Sequence, residues 1–160
     1  MKHKIIYDPD EECKQCVIFA RVSSEEQKKG ASLSAQIKTV KEYCELKNLK
    51  LLRKPFDIVE SSTHGYRERF HEMLNFVKQQ THKTAICVNC IDRLVRNYKA
   101  YNELDALREA GRIELHFYKE GLILHKDSNS ADIASASAAE ASNYAALAAA
   151  SALIAKDSAA

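Results

Sequence analysis

The chain has 160 residues, 46% of them hydrophobic and 29% charged, with a formal net charge of +2; this is the profile of a soluble globular protein with one real core, too short for two. So small a positive charge excludes a domain that grips nucleic acid by electrostatics alone, because free-standing binders are more basic. No long apolar span or signal-peptide pattern occurs, and the start turns acidic at Asp8 before any apolar core develops, so no membrane partner and an intracellular, cytoplasmic location are expected.

Residues 1–15 are polar and mixed in charge, and read as a flexible N-terminal arm. The apolar run 16–19 predicts a buried strand, which stops abruptly in Ala20-Arg21-Val22-Ser23-Ser24. Residues 24–31 read as a solvated loop whose charges, Glu25, Glu26, Lys28 and Lys29, face water. Leu33, Ile37, Val40 and Cys44 then recur at helical spacing, with Ser32 or Ser34 as N-cap. Two short strand-like runs follow, 49–53 and 56–59, separated by Pro55. Residues 60–69 read as a polar loop containing Gly65, after which Phe70, Met73, Leu74 and Val77 mark an amphipathic helix.

Residues 84–88 predict another buried strand, followed closely by Asp92-Arg93-Leu94-Val95-Arg96. Tyr101, Leu104 and Leu107 lie along a helix, with Gly111 as its C′ residue. The runs 113–118 and 122–125 complete the strands. Short apolar strands alternating with helices imply an α/β fold: a mostly parallel central sheet with helices on both faces. Beyond Ser128 roughly half of the residues are alanine, a bias that favours helix. Tyr144, Leu147, Ser151 and Ile154 repeat along one seam of a long C-terminal helix. The expected organisation is therefore an arm (1–15), a catalytic-type domain (16–127) and a long helix (128–160).

Five cysteines form two Cys-x-x-Cys pairs, Cys13/Cys16 and Cys87/Cys90, plus Cys44. Two such pairs can close a tetrahedral zinc site. Against this, Cys87 lies inside an apolar run, a strand sends residues three apart to opposite faces, and neither pair contains glycine. Burial as small hydrophobes is the expectation, with no metal site.

Chemistry concentrates at the strand ends. Arg21 and Ser23, two apart on extended backbone, point the same way and set a fixed cation beside an oxygen nucleophile. Arg67 follows Gly65, and a helical turn over 92–96 presents Asp92, Arg93 and Arg96 together. In a parallel sheet these carboxyl ends share one edge. Attack of a serine oxygen on a phosphodiester builds negative charge on the non-bridging oxygens. Metals usually meet that charge, and this chain has no acidic cluster resembling a magnesium site. Preorganised arginines can substitute, since their forks bind phosphate oxygens bidentately and stay charged.

The order and spacing of Ala20-Arg21-Val22-Ser23-Ser24, Ser32-Leu33-Ser34-Ala35-Gln36, Gly65-Tyr66-Arg67-Glu68-Arg69-Phe70 and Asp92-Arg93-Leu94-Val95-Arg96 resemble the catalytic domain of the serine recombinases, the resolvase/invertase and large serine integrase superfamily. The resemblance covers about residues 16–132. It implies that Ser23 is the nucleophile that becomes joined to a DNA 5′ phosphate and that Arg21, Arg67, Arg93 and Arg96 bind the scissile phosphate. It further implies that Gln36 supports the site and that Asp92 orients an arginine or assists proton transfer. No cofactor and no metal is implied. The implied partners are double-stranded DNA and copies of the chain itself, a homodimer that becomes a tetramer on synapsis, joined through the long terminal helix.

The loop 25–31 is longer than in compact resolvases, and Glu60-Ser61-Ser62 stands where many members carry an Asp and a Ser-Gly pair. No helix-turn-helix or zinc-type DNA module follows residue 132, so a separate DNA-binding part is expected, which agrees with the modest charge. Two other readings remain open from residues alone: a non-catalytic α/β regulatory or dimerisation module whose arginines hold an anion, and a zinc-binding interaction domain built on the Cys-x-x-Cys pairs.

Overall fold

Alternation along β1 (Gln15–Ser23) divides the interior into two layers. In the computed structural model, which describes residues 8–30, 32–60, 63–95 and 98–128, Val17 and Phe19 enter one core and Cys16 and Ile18 the other. The elements follow in the order α1 (Ser24–Lys28), α2 (Leu33–Leu46), β2 (Lys50–Leu51), β3 (Phe56–Glu60), α3 (Thr63–Lys78), β4 (Thr84–Val88), α4 (Ile91–Leu94), α5 (Tyr98–Glu109), β5 (Ile113–Phe117) and β6 (Leu122–Leu124).

The sheet runs β2-β1-β4-β5-β6, and β3 pairs with the second half of β1. All pairings are parallel except β5 with β6. That exception follows from chain length, because the turn through Gly121 (φ 62°) is too short for a parallel crossover. The larger core lies under α3 and α5, where Phe70, Met73, Leu74, Val77, Tyr101 and Leu104 pack on Phe19, Ile86 and Leu115. The smaller lies under α2, whose Val40 and Cys44 cover Ile18, Ala85 and Cys87. Helices on both faces of a mostly parallel sheet are what the sequence predicts.

Ser32 is the N-cap of α2, its hydroxyl accepting from the Ala35 N–H at 3.2 Å. Gly111 (φ 74°) ends α5: its N–H donates to the Arg108 carbonyl (2.9 Å) and that of Arg112 to the Leu107 carbonyl (3.0 Å), a Schellman closure.

Three local expectations are corrected. The charged stretch after Ser23 is not all loop, because it contains the single-turn helix α1. The polar stretch 60–69 is largely helix, since α3 starts at Thr63; its first turns carry polar residues, so hydrophobic periodicity is silent there. Residues 8–14 are not a loose arm: the Glu11 carboxylate accepts from the Lys83 N–H at 2.6 Å, and Pro9 lies against Gly111. Among the described residues no helix is long and apolar enough to cross a membrane. The seam at Tyr144, Leu147, Ser151 and Ile154 lies outside the described residues.

Candidate active site

β1 outruns β4. The pairing of these strands ends at Ile18 with Cys87, while β1 continues beside β3 to Ser23, opposite Glu60. Past Ile18 the strand needs another partner for its backbone, and α2 supplies one. The Gln36 carboxamide accepts from the Arg21 N–H (3.1 Å) and donates to the Arg21 carbonyl (3.3 Å), acting as a one-residue strand. Gln36 is thereby tied to the Arg21 main chain.

Arg21 is only 8% exposed. Its Nη1 donates to Glu60 at 3.0 Å, and Nη2 and Nε donate to the carbonyls of Asp92 (2.5 Å) and Arg93 (3.4 Å). The Tyr66 ring stands 6.0 Å from its guanidinium carbon, and the Tyr66 hydroxyl donates to the Leu94 carbonyl. Burial lowers the Arg21 pKa, the Arg93 charge adds to the effect, and Asp92, Glu26 and Tyr66 oppose it. One cation thus ties the end of β1 to β3 and to the turn after β4.

Ser23 is both the last residue of β1 and the N-cap of α1, its Oγ accepting from the Glu26 N–H at 3.0 Å. That turn carries Glu26 back over Arg93: the carboxylate meets the guanidinium at 2.6 and 3.0 Å, a two-point clamp. Hydrogen bonding to Arg93 holds the Glu26 carboxyl below the ordinary carboxylate range. The Arg93 pKa is raised, burial being outweighed by the hydrogen bond to Glu26 and the charges of Asp92 and Glu26. Asp92 lies 3.9 Å from Arg93 Nε and accepts from the Cys90 thiol at 2.7 Å.

The family model described as "Resolvase, N terminal domain" matches residues 16–156. The chain belongs to the resolvase family. The match covers both the region of these strand ends and the alanine-rich segment beyond. Two solved structures share its fold. The N-terminal catalytic domain of TP901-1 integrase is 18% identical at a TM-score of 0.56, covering 69% of this chain and 81% of that one. A resolvase family site-specific recombinase from Streptococcus pneumoniae is 20% identical at a TM-score of 0.58, covering 78% and 84%. No curated protein sequence matches the chain.

Within this resolvase-family domain the sequence-derived residues separate into groups. Arg21, Ser23, Gln36, Asp92 and Arg93 are joined by the contacts above. Arg67 is exposed on the first turns of α3, the helix that follows the partner strand of Ser23. Arg96 lies outside the described residues. Two residues escaped sequence reasoning. Glu26, which the sequence places in a hydrated loop, clamps Arg93. Glu60, in sequence only a departure from the family pattern, pairs with Arg21. Its one sequence signal is its place at the end of the strand that pairs with β1.

The Cys-x-x-Cys pairs do not assemble as pairs. Cys13 donates to the carbonyls of Gln15 (3.4 Å) and Lys83 (3.7 Å), and Cys90 bonds Asp92, whereas Cys16 and Cys87 turn inward. This arrangement offers no tetrahedral four-cysteine site.

Proposed function

We propose that this recombinase domain cleaves and rejoins DNA through Ser23. The Ser23 oxygen attacks a backbone phosphorus and forms a phosphoserine ester to the 5′ phosphate, while the 3′ oxygen leaves and takes a proton. Rejoining reverses the step, so the ester conserves the bond energy and no nucleotide is consumed. Arg67 and Arg96, with Arg21 and Arg93 once a DNA phosphate displaces Glu60 and Glu26 from them, supply the positive charge that other phosphoryl-transfer sites obtain from divalent metals. Asp92, beside Arg93, orients that arginine. Pairing of copies through the segment 128–160, in dimers and then tetramers on two DNA sites, completes the reading and places the protein at the nucleoid.

One observation carries this proposal: the Arg21 guanidinium, two residues from Ser23, reaches the backbone of Asp92 and Arg93, some 70 positions along the chain. A regulatory module would need no nucleophile at the point where such charges gather. The test is Ser23→Ala in the full-length enzyme on its own DNA site. Loss of the cap costs about 1 kcal/mol of stability, which leaves the protein folded. The wild type is expected to yield a covalent protein–DNA adduct on a nicked substrate and the variant none. An adduct that survives the substitution removes Ser23 from the role.

A further inference from the structure

One cysteine from each Cys-x-x-Cys pair meets Cys44. Cys16 on β1, Cys87 on β4 and Cys44 on α2 bring their Sγ atoms within 4.8 Å of one another, at 0%, 0% and 3% exposure. The cause is geometric. β1 and β4 are parallel neighbours with Cys16 beside Ala85 and Ile18 beside Cys87, and alternation turns all four toward α2. The inward stripe of α2 holds Val40 and then, one turn on, Cys44. A single core cysteine is a small hydrophobe and needs no further account. Three sulfurs from three separate elements, converging on one point, are a donor set.

We propose that Cys16, Cys44 and Cys87 form a three-sulfur site for a trivalent, three-coordinate thiophilic centre of the arsenite class. Four observations select that class. Sulfur donors favour soft, thiophilic partners over hard ones. Among the described residues no fourth Cys, His, Asp or Glu joins the group, so the tetrahedron that structural zinc takes stays incomplete. The surroundings are mainly apolar, Ile18, Val40, Leu49 and Ala85, and the Tyr43 hydroxyl at the margin is already bonded to His116 Nδ1 at 2.8 Å, which leaves little to hold a completing water. Net charge decides between the remaining ions. Three thiolates leave an uncompensated negative charge around a monovalent or divalent ion, which is costly in an apolar core, but form a neutral unit around a trivalent one. Nearby His116 has both ring nitrogens engaged, Nε2 with Glu114 at 3.0 Å and Nδ1 with the Tyr43 hydroxyl at 2.8 Å.

The reach is sufficient: the three sulfurs lie within 4.8 Å of one another, and bonds of about 2.3 Å to a pyramidal centre hold sulfurs about 3.5 Å apart, so each need move inward by at most about 0.8 Å. Binding balances without an oxidant. Arsenous acid and three thiols form three arsenic–sulfur bonds and break three arsenic–oxygen bonds. The three thiol protons leave with the three hydroxyls as water, and arsenic stays trivalent. The three thiols share hydrogen bonds with one another, which lower the Cys44 pKa and raise those of Cys16 and Cys87. The filled site would staple α2 to β1 and β4, and α2 is the helix whose Gln36 holds Arg21.

The experiment is titration of the reduced full chain with sodium arsenite, read by native mass spectrometry. One adduct per chain is expected, with the mass of one arsenic gained and three hydrogens lost, and arsenic X-ray absorption showing three sulfur neighbours. Thermal stability is expected to rise with arsenite concentration. The Cys44→Ser variant should lose the three-sulfur adduct, and a Cys13→Ser/Cys90→Ser variant should keep it in full. An adduct that retains a hydroxyl, one untouched by Cys44→Ser, or no adduct with the wild type overturns the proposal. The wild-type absorption spectrum decides the matter even if a cysteine variant fails to fold.

Discussion

Replacing Glu60 by Gln tests whether the buried ion pair organises the site. Arg21 and Glu60 meet at 3.0 Å with side chains 10% and 5% exposed, so the substitution leaves a guanidinium facing a neutral amide with little water. Removing one partner of a buried pair costs about 3–5 kcal/mol. Here the carbonyls of Asp92 and Arg93 still accept from Arg21, which brings the expectation to about 2–3 kcal/mol. That is roughly a 30- to 150-fold change in the folding equilibrium. Urea unfolding measures it, and a cycle with Arg21→Met isolates the pair. With both charges removed, the cost should fall below the sum of the single variants by more than about 1 kcal/mol. A Glu60→Gln loss below about 0.5 kcal/mol, or strict additivity in the cycle, would refute the reasoning.

Gln36→Ala strips two hydrogen bonds from the Arg21 main chain and should cost about 1–2 kcal/mol; hydrogen exchange at the Arg21 amide should accelerate, and unchanged protection would contradict the strand-substitute role. The Glu26 carboxyl, lowered by Arg93, contributes stability that is present above its unfolded pKa and lost as pH falls through the lower folded value. A carbon NMR titration should place its midpoint below 4.5, and Arg93→Gln should raise it; a midpoint indifferent to Arg93 dissolves the clamp. Gly111→Ala forces a left-handed φ of 74° on a side chain whose Cβ would stand 2.6–2.9 Å from Pro9. The strain of about 1–3 kcal/mol should lower Tm by about 3–8 °C, and an unshifted melting curve would deny the close approach.

Much of this was legible in the chain because it depends on local periodicity. The run ending in Arg21 and Ser23, the α2 stripe through Val40 and Cys44, the whole of β4 and the Gly111 stop all follow from side-chain spacing and backbone freedom. The first turns of α3 were hidden because their polar residues leave no hydrophobic signal. α1 was hidden because a single-turn helix depends on its cap and its partner, here Ser23 and Arg93, more than on propensity.

By itself, the sequence determined an α/β sheet, the strand ends where its polar chemistry lies, and a family whose pattern those ends match. Tertiary structure alone decided the pairings. Glu60 with Arg21, Glu26 with Arg93, and Cys44 between Cys16 and Cys87 join residues dozens of positions apart. Such contacts are set by parallel register and by where a helix crosses a sheet, and neither leaves a local mark in the chain.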